Sequence, residues 1–210
     1  MDDRVVISLL RHGLTAENEK SAYIGWTNSP LSSTGRKNIQ PIVEPELLFS
    51  SDLMRCLETA SLLFPYKEAL QMAEFREMHF GRWEGRTYEQ MKSVKSYQDW
   101  IEDPFSRYPD GGESFAEFGL RIQTGWEKVK MQIFKADAAS SAIVTHGGVI
   151  RYLMTLFAPQ EKSFFEWEIP YGGGYQLIFT RDGLRRGEKC ISLQGVPITE
   201  NQFGQKNFIN

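Results

Sequence analysis

The sequence predicts an α/β fold, a three-layer α/β/α sandwich around a mostly parallel central sheet. Three observations predict it. Short apolar, β-branched runs at 5–10, 47–50, 142–145 and 175–179 have the length of buried strands. Stretches with helical spacing separate them, and strands joined through helices pack as parallel neighbours. Two of the runs also end alike, in histidine and glycine, at His12-Gly13 and His146-Gly147.

Taken in order, Val5-Val6-Ile7-Ser8-Leu9-Leu10 runs into Arg11-His12-Gly13 and reads as a strand followed by a turn. Leu47-Leu48-Phe49-Ser50 leads into Ser51-Asp52, which read as helix caps, and a helix from Leu53 to about Phe64 that Pro65 ends. The clearest helix opens at Ser114. Ser114-Phe115-Ala116-Glu117 has the capping-box pattern, and Phe115, Phe118, Ile122, Trp126, Val129 and Ile133 recur as a core stripe. Ala142-Ile143-Val144-Thr145 is a short strand; His146-Gly147-Gly148 follow, then a helix from Val149 to about Phe157. Tyr175 to Phe179, a turn at Arg181-Asp182-Gly183 and a run reaching Leu193 read as a hairpin. The stretch 81–112, rich in Trp, Tyr and charge, reads as an irregular insertion near the site.

A chain of 210 residues buries about 70% of its unfolded surface in one core, so residues 1–210 are expected to form a single domain carrying that insertion. Apolar residues at 41% and charged residues at 24% exclude disordered and fibrous classes. The net charge of −3 offers no concentrated basic face, so nucleic acid is not an expected partner and any bound anion must be met by a local pocket. The start Met1-Asp2-Asp3-Arg4 lacks signal-peptide features. No run approaches about 18 apolar residues, so no membrane span is expected. Cys56 and Cys190 lie in separate apolar segments without metal or redox spacing and read as reduced core thiols of a cytoplasmic protein.

In an open α/β sheet ligands gather at the carboxyl ends of the strands, where His12 and His146 would both emerge. Glycine after each histidine lets the backbone turn sharply, and a helix after Gly148 offers N-terminal N–H groups to an anion. Taken singly, either histidine reads as an ordinary turn contact. Arg11 changes the weighing, because a guanidinium at a strand end in apolar surroundings needs an anionic partner, and phosphate matches its forked donors. Arg55, in the first turn of its helix, opposes the helix dipole unless an anion binds nearby. The three histidines have no carboxylates at ligand spacing, so no metal site is expected.

Leu10-Arg11-His12-Gly13-Leu14-Thr15-Ala16-Glu17-Asn18 resembles the signature of the histidine phosphatase, or phosphoglycerate mutase-like, superfamily. Gly25-Trp26-Thr27-Asn28-Ser29-Pro30-Leu31-Ser32 is similar to that family's post-signature loop, and residues 50–60 to its arginine helix. Glu77-Met78-His79-Phe80-Gly81-Arg82-Trp83-Glu84-Gly85 is similar to its acid loop, and Gly111-Gly112-Glu113-Ser114 and Val144-Thr145-His146-Gly147-Gly148 complete the order. The resemblance implies a phosphoglycerate mutase-like fold and a phosphomonoester hydrolase that needs neither metal nor cofactor. It assigns His12 as the nucleophile, Arg11, Arg55 and His146 as the phosphate pocket, and Glu77 as the proton donor and later base. Thr15, Asn18 and Gly147 become lesser contacts to phosphate or substrate. Tyr23, Trp83 and Glu113 stay open between substrate contact and packing or capping.

An imidazole attacks phosphorus only if its other nitrogen holds its proton, usually on a backbone carbonyl. A cationic ring of Arg11, Arg55 and protonated His146 would then balance a loose phosphoryl transition state. Within the superfamily, cofactor-dependent phosphoglycerate mutases resemble Glu-Arg-His-Tyr-Gly in the acid loop. Here Met78 replaces that arginine, and Arg86, Lys92, Lys95 and Arg107 are nowhere adjacent. The Gly-Gly-Glu-Ser block is similar to the α-ribazole phosphatase-like, broad-specificity bacterial branch. The expected substrate is therefore a small phosphorylated metabolite, with α-ribazole phosphate one candidate. A mutase and a catalytically silent phospho-ligand binding protein are the alternatives.

Overall fold

A computed structural model describes residues 3–197; the tail beyond them lies outside the described residues. The first half comprises β1 (Arg4–Arg11), α1 (Ala16–Glu19), α2 (Ser33–Lys37), β2 (Leu47–Ser50), α3 (Met54–Leu63) and β3 (Leu70–Gln71). Two short helices follow, α4 (Tyr88–Met91) and α5 (Lys95–Glu102), and then the long α6 (Phe115–Ala136). The chain continues through β4 (Ser140–Thr145), α7 (Gly147–Phe157), β5 (Gly173–Thr180), α8 (Arg181–Arg186) and β6 (Ser192–Pro197).

The six strands form one sheet in the order β3-β2-β4-β1-β5-β6. The first four run parallel to one another, and β5 and β6 are antiparallel. Strand alternation sends side chains to two opposite faces. Val5, Ile7, Leu9, Phe49 and Ile143 join α6 and α7 in one core, while Leu10, Leu48, Ala142 and Val144 join α3 in another. Helices thus cover both faces of a mostly parallel sheet, as expected. The α6 stripe is core from Phe118 to Ile133, and Ser114 makes the capping box with Glu117. No described helix is long and apolar enough to cross a membrane.

Three local expectations need correction. Ser51 and Asp52 do not cap α3: its N-cap is Leu53, without a side-chain bond, and the Met54 N–H donates to Asn28 Oδ1 at 2.7 Å instead. Asp52 is committed to a two-pronged pair with Arg76. The 81–112 stretch is not irregular throughout. It holds α4, opened by a reciprocal Thr87/Gln90 box, and α5, which together close an aromatic cluster of Tyr23, Trp83, Met91, Tyr97 and Trp100. One-turn helices stabilised by such packing leave little periodicity to read. The Arg181-Asp182-Gly183 turn is instead the start of α8, because Thr180 caps Gly183 N–H at 3.0 Å and Gly187 ends the helix at φ 73°. The strands it joins do pair antiparallel.

Trp126 is 1% exposed and stacks on Phe157 with ring centroids 4.6 Å apart. Its indole N–H is buried without a partner among the described residues. Trp126→Ala should therefore lower the unfolding free energy by about 3–5 kcal/mol, whereas Trp126→Phe should cost less than half of that. Urea midpoints of the two variants check this; equal losses would place the effect in something other than buried area.

Candidate active site

The strand register brings the site together. Arg11 is opposite Thr145 across the β1–β4 ladder, and His12 N–H donates to Thr145 O at 2.9 Å. On the other side of β4, Ser50 is opposite Val144, and Ser51 N–H donates to Val144 O at 2.9 Å. One residue beyond the paired segments, Ser51, His146 and His12 emerge side by side at the carboxyl edge. The two imidazole centroids are 5.1 Å apart.

His12 Nδ1 lies 2.7 Å from Gly13 O. A carbonyl only accepts, so Nδ1 carries the proton and Nε2 keeps its lone pair. Gly13 is itself tied to α3, its N–H donating to Thr59 Oγ1 at 3.0 Å. Burial, followed by the charges of Arg55 and Arg11, holds His12 well below the ordinary imidazole pKa, against the opposing bond to Gly13. Arg11 donates to Ile169 O at 2.5 Å and lies 3.5 Å from the Tyr171 ring centroid, while its buried Nε has no partner among the described residues. Gly147 makes room for this: a Cβ there would stand 3.2 Å from Arg11 Cζ.

Arg55 is fully buried. It donates to Thr27 O at 2.8 Å, Gly25 O at 2.7 Å and, through Nε, His146 Nδ1 at 3.3 Å. The 25–27 loop that meets it is pinned from behind by the Glu84 carboxylate, which accepts N–H groups from Gly25, Trp26, Thr27 and Phe80. Because Nδ1 of His146 accepts from Arg55, its proton is on Nε2, which lies 3.0 Å from Ser51 Oγ. Burial lowers the His146 pKa well below the ordinary value, and Arg55, His12 and Arg11 add to the shift. These neighbours oppose the protonated His146 expected against a phosphoryl transition state: in this arrangement Nδ1 accepts from Arg55 and the buried imidazole is neutral. Beside it, Cys56 Sγ lies 3.4 Å from Nε2, and burial pushes that thiol up to about 12.

Glu77 is fixed at the other wall. Its carboxylate accepts Met78 N–H at 3.0 Å and Gly148 N–H at 2.9 Å, so the N-terminus of α7 holds this side chain. Thr15 and Asn18 bond reciprocally at 3.2 Å around the start of α1, shaping the turn after His12. Tyr23 is placed elsewhere: it is 2% exposed and its hydroxyl lies 2.9 Å from that of Tyr97, inside the aromatic cluster that also holds Trp83. Glu113 is bound in a two-pronged pair with Arg121.

Sequence reasoning missed Ser51, Cys56, Tyr171 and Arg151. Arg151 lies on α7, donates through Nε to Trp167 O at 3.0 Å, and has its pKa lowered by burial and then by the charge of Arg11. A charged residue inside the apolar run Val149-Ile150-Arg151-Tyr152-Leu153 was a readable signal, and Ser51 was readable once the β2–β4 register was known. Tyr171 had none. Among the described residues, no group of three or more His, Cys, Asp or Glu is placed to hold a metal ion.

Residues 7–187 match the histidine phosphatase superfamily (branch 1). The chain belongs to that superfamily. It is 29% identical over 175 residues to the adenosylcobalamin/alpha-ribazole phosphatase of Salmonella typhimurium, covering 78% of this chain and 85% of that one. It is 28% identical to a phosphoglycerate mutase of Thermus thermophilus of known structure, with a TM-score of 0.66 over 82% of this chain and 92% of the other. The fold is also that of the alpha-ribazole phosphatase from Shigella flexneri, with a TM-score of 0.75 over 97% and 100% of the two chains at 23% identity. The phosphoglycerate mutase-like architecture expected from the sequence holds.

Both site histidines should stay neutral as the pH falls through the ordinary imidazole value of about 6.5. Because the unfolded chain then takes up protons that the folded chain refuses, the stability they contribute is present above that value and lost as the pH falls toward their lowered folded values. Nitrogen-15 NMR of the free protein checks this; a His12 or His146 ring titrating at or above about 6.5 would contradict it.

Proposed function

We propose that the protein is a phosphomonoesterase that works through a phosphohistidine on His12 and requires no metal or cofactor. The observation that carries this reading is the Nδ1-protonated, neutral His12 beside the buried Arg55 and the half-buried Arg11, whose Nε is buried without a partner among the described residues. His12 Nε2 attacks phosphorus, the P–N bond forms, and the P–O bond to the leaving group breaks as protonated Glu77 delivers its proton to the departing oxygen. Glu77, now a carboxylate, takes a proton from water as that water attacks the phosphohistidine, releasing phosphate and restoring His12. Arg11 and Arg55 face the charge spread over the phosphoryl oxygens, and His146, between Arg55 and Ser51, holds the Arg55 guanidinium through Nδ1. Asn18, Thr15 and Gly147 shape the phosphate turn.

The Salmonella relative supports a phosphatase acting on a small phosphorylated metabolite, with α-ribazole phosphate the first candidate. The Thermus neighbour keeps mutase chemistry in view. Against it, Met78 is only 8% exposed and packs in the core at the position where the mutase pattern has an arginine. Lys92 and Lys95 are bound to Glu89 and Asp99. A doubly phosphorylated intermediate would have little to grip it while it reorients, leaving water as the acceptor.

Incubation with 3-phosphoglycerate and a trace of bisphosphoglycerate, beside a generic phosphomonoester, should release inorganic phosphate faster than 2-phosphoglycerate forms, in excess chelator as in its absence. Quenched wild-type enzyme should carry an acid-labile phosphoryl group that His12→Ala lacks. Faster isomer formation would leave the phosphohistidine standing and overturn the hydrolase.

Glu77→Gln should lower kcat/KM for alkyl phosphates far more than for aryl phosphates whose leaving groups depart without a proton. Gly148→Ala should copy that pattern while leaving the protein folded, since its Cβ would crowd Glu77 Oε1 and push the carboxylate off the Met78 and Gly148 N–H groups rather than displace backbone. Losses of similar size on both substrate types would reduce Glu77 to a structural role.

A further inference from the structure

We infer that Arg121 is a positioning residue for the proton-transfer group, acting through the backbone of the loop that carries Glu77. This inference deepens the proposed function and rests on Glu77 being the acid. The loop runs past a short 3-10 turn at Ala73–Phe75 and belongs to no strand or α-helix up to Gly81, so no ladder of regular hydrogen bonds holds it. Donors from elsewhere in the fold hold it instead. Arg121, on α6, gives Nη1 to Glu74 O and Arg76 O, each at 2.9 Å, and Nη2 to Glu77 O at 3.3 Å. Thr145 Oγ1 donates to the intervening Phe75 O at 2.8 Å, and Trp26 Nε1 donates to Glu77 O at 3.0 Å.

The guanidinium cannot swing away from these carbonyls. Its Nε and Nη2 donate to Glu113 Oε1 and Oε2 at 2.8 and 2.7 Å, and the pair is mostly buried, with side chains 17% and 11% exposed. Glu113 is itself stitched to the far end of the same loop, its N–H donating to His79 O at 2.9 Å and its Oε2 accepting His79 N–H at 3.3 Å. Five fixed donors on a rigid plane can hold several carbonyls in one arrangement, which a lysine ammonium cannot reproduce. The Glu77 carboxylate is thus held at its tip by the α7 N-terminus and at its root by Arg121. A displacement of about 1 Å at a reacting group can cost on the order of 100-fold. The guanidinium's donors go to these loop carbonyls and to Glu113, so it sets where the acid stands.

A merely stabilising ion pair predicts a different outcome from a positioning one, and leaving-group dependence separates them. Arg121→Ala, Arg121→Lys and Glu113→Gln are compared with wild type and Glu77→Gln by kcat/KM on an alkyl phosphate and on p-nitrophenyl phosphate. Arg121→Ala and Arg121→Lys should each lose at least about tenfold more on the alkyl ester than on the aryl ester. Glu113→Gln should lose in the same direction, and millimolar guanidinium should restore alkyl-ester activity to Arg121→Ala. Combining Arg121→Ala with Glu77→Gln should add no further discrimination. If Glu77→Gln discriminates between the esters while the Arg121 variants lose both equally or neither, the positioning inference is overturned and the acid assignment survives. If Glu77→Gln itself fails to discriminate, the acid assignment falls and takes this inference with it. Arg121→Lys, which keeps the stem and the charge, supplies the reading should the alanine variant fail to fold.

Discussion

The site depends on a buried cation that no carboxylate meets directly among the described residues. Arg55 has no solvent-exposed surface, and among the described residues its guanidinium is met by two carbonyls and an imidazole rather than by a carboxylate. An isolated buried charge is expensive, and carbonyl dipoles offset only part of the cost. The geometry around it follows from that constraint. The carbonyls of Gly25 and Thr27 must point inward, so the N–H groups of the same loop point outward, and Glu84 collects them. Glu84 also accepts Phe80 N–H, which ties the post-signature loop to the end of the acid loop. A chain of contacts that looks like loop packing is the means by which one arginine is kept in place while unpaired.

The sheet supplies the other coordinates. Three adjacent parallel strands end at the same level, and each delivers a polar residue one step past its last pair: Ser51 from β2, His146 from β4, His12 from β1. Placing the two imidazoles in this way uses backbone hydrogen bonds that the fold needs in any case. The helix that follows β4 then brings its first N–H groups to the same edge. The sequence suggests that its dipole greets the phosphate, yet in this arrangement Gly148 N–H holds the Glu77 carboxylate. The acid and the phosphate pocket are thereby coupled through one helix terminus.

What was legible in the sequence was whatever short-range pattern writes directly. The strand runs and the α6 stripe with its Ser114 box obey periodicities of two and 3.6 residues, and the structure returns them nearly at the stated ends. Arg11, His12, Arg55, Glu77 and His146 could be named because each stands in a local motif, and the register of β2, β4 and β1 brings most of them to one edge. What could not be read depended on distant pairing. Ser51 looks like a cap until the β2–β4 register makes it the partner of His146. Tyr171 reaches Arg11 across nearly the whole chain. Tyr23 stood open between substrate contact and packing, and the aromatic cluster built from residues 83–100 buries it. The protonated His146 was expected against a phosphoryl transition state, whereas burial beside two arginines refuses that proton in the present arrangement.

That refusal bears on how the chemistry runs. The fields of Arg11 and Arg55 that would attract a phosphate dianion in the proposed reaction are the same fields that, added to burial, hold His12 well below the usual imidazole pKa. A pocket strong enough to bind the proposed substrate would therefore also keep the His12 lone pair free, with the Gly13 carbonyl deciding which nitrogen carries it. In the proposed reaction, an entering phosphoryl group would supply the negative charge that Arg55 and the buried Nε of Arg11 lack among the described residues. Part of its binding energy would then be relief of an electrostatic cost built into the fold, and such binding would stabilise the folded state. In the proposed reaction, transfer to His12 would keep the phosphoryl oxygens beside the same arginines, so their charge would stay compensated while water took the leaving group's place beside Glu77.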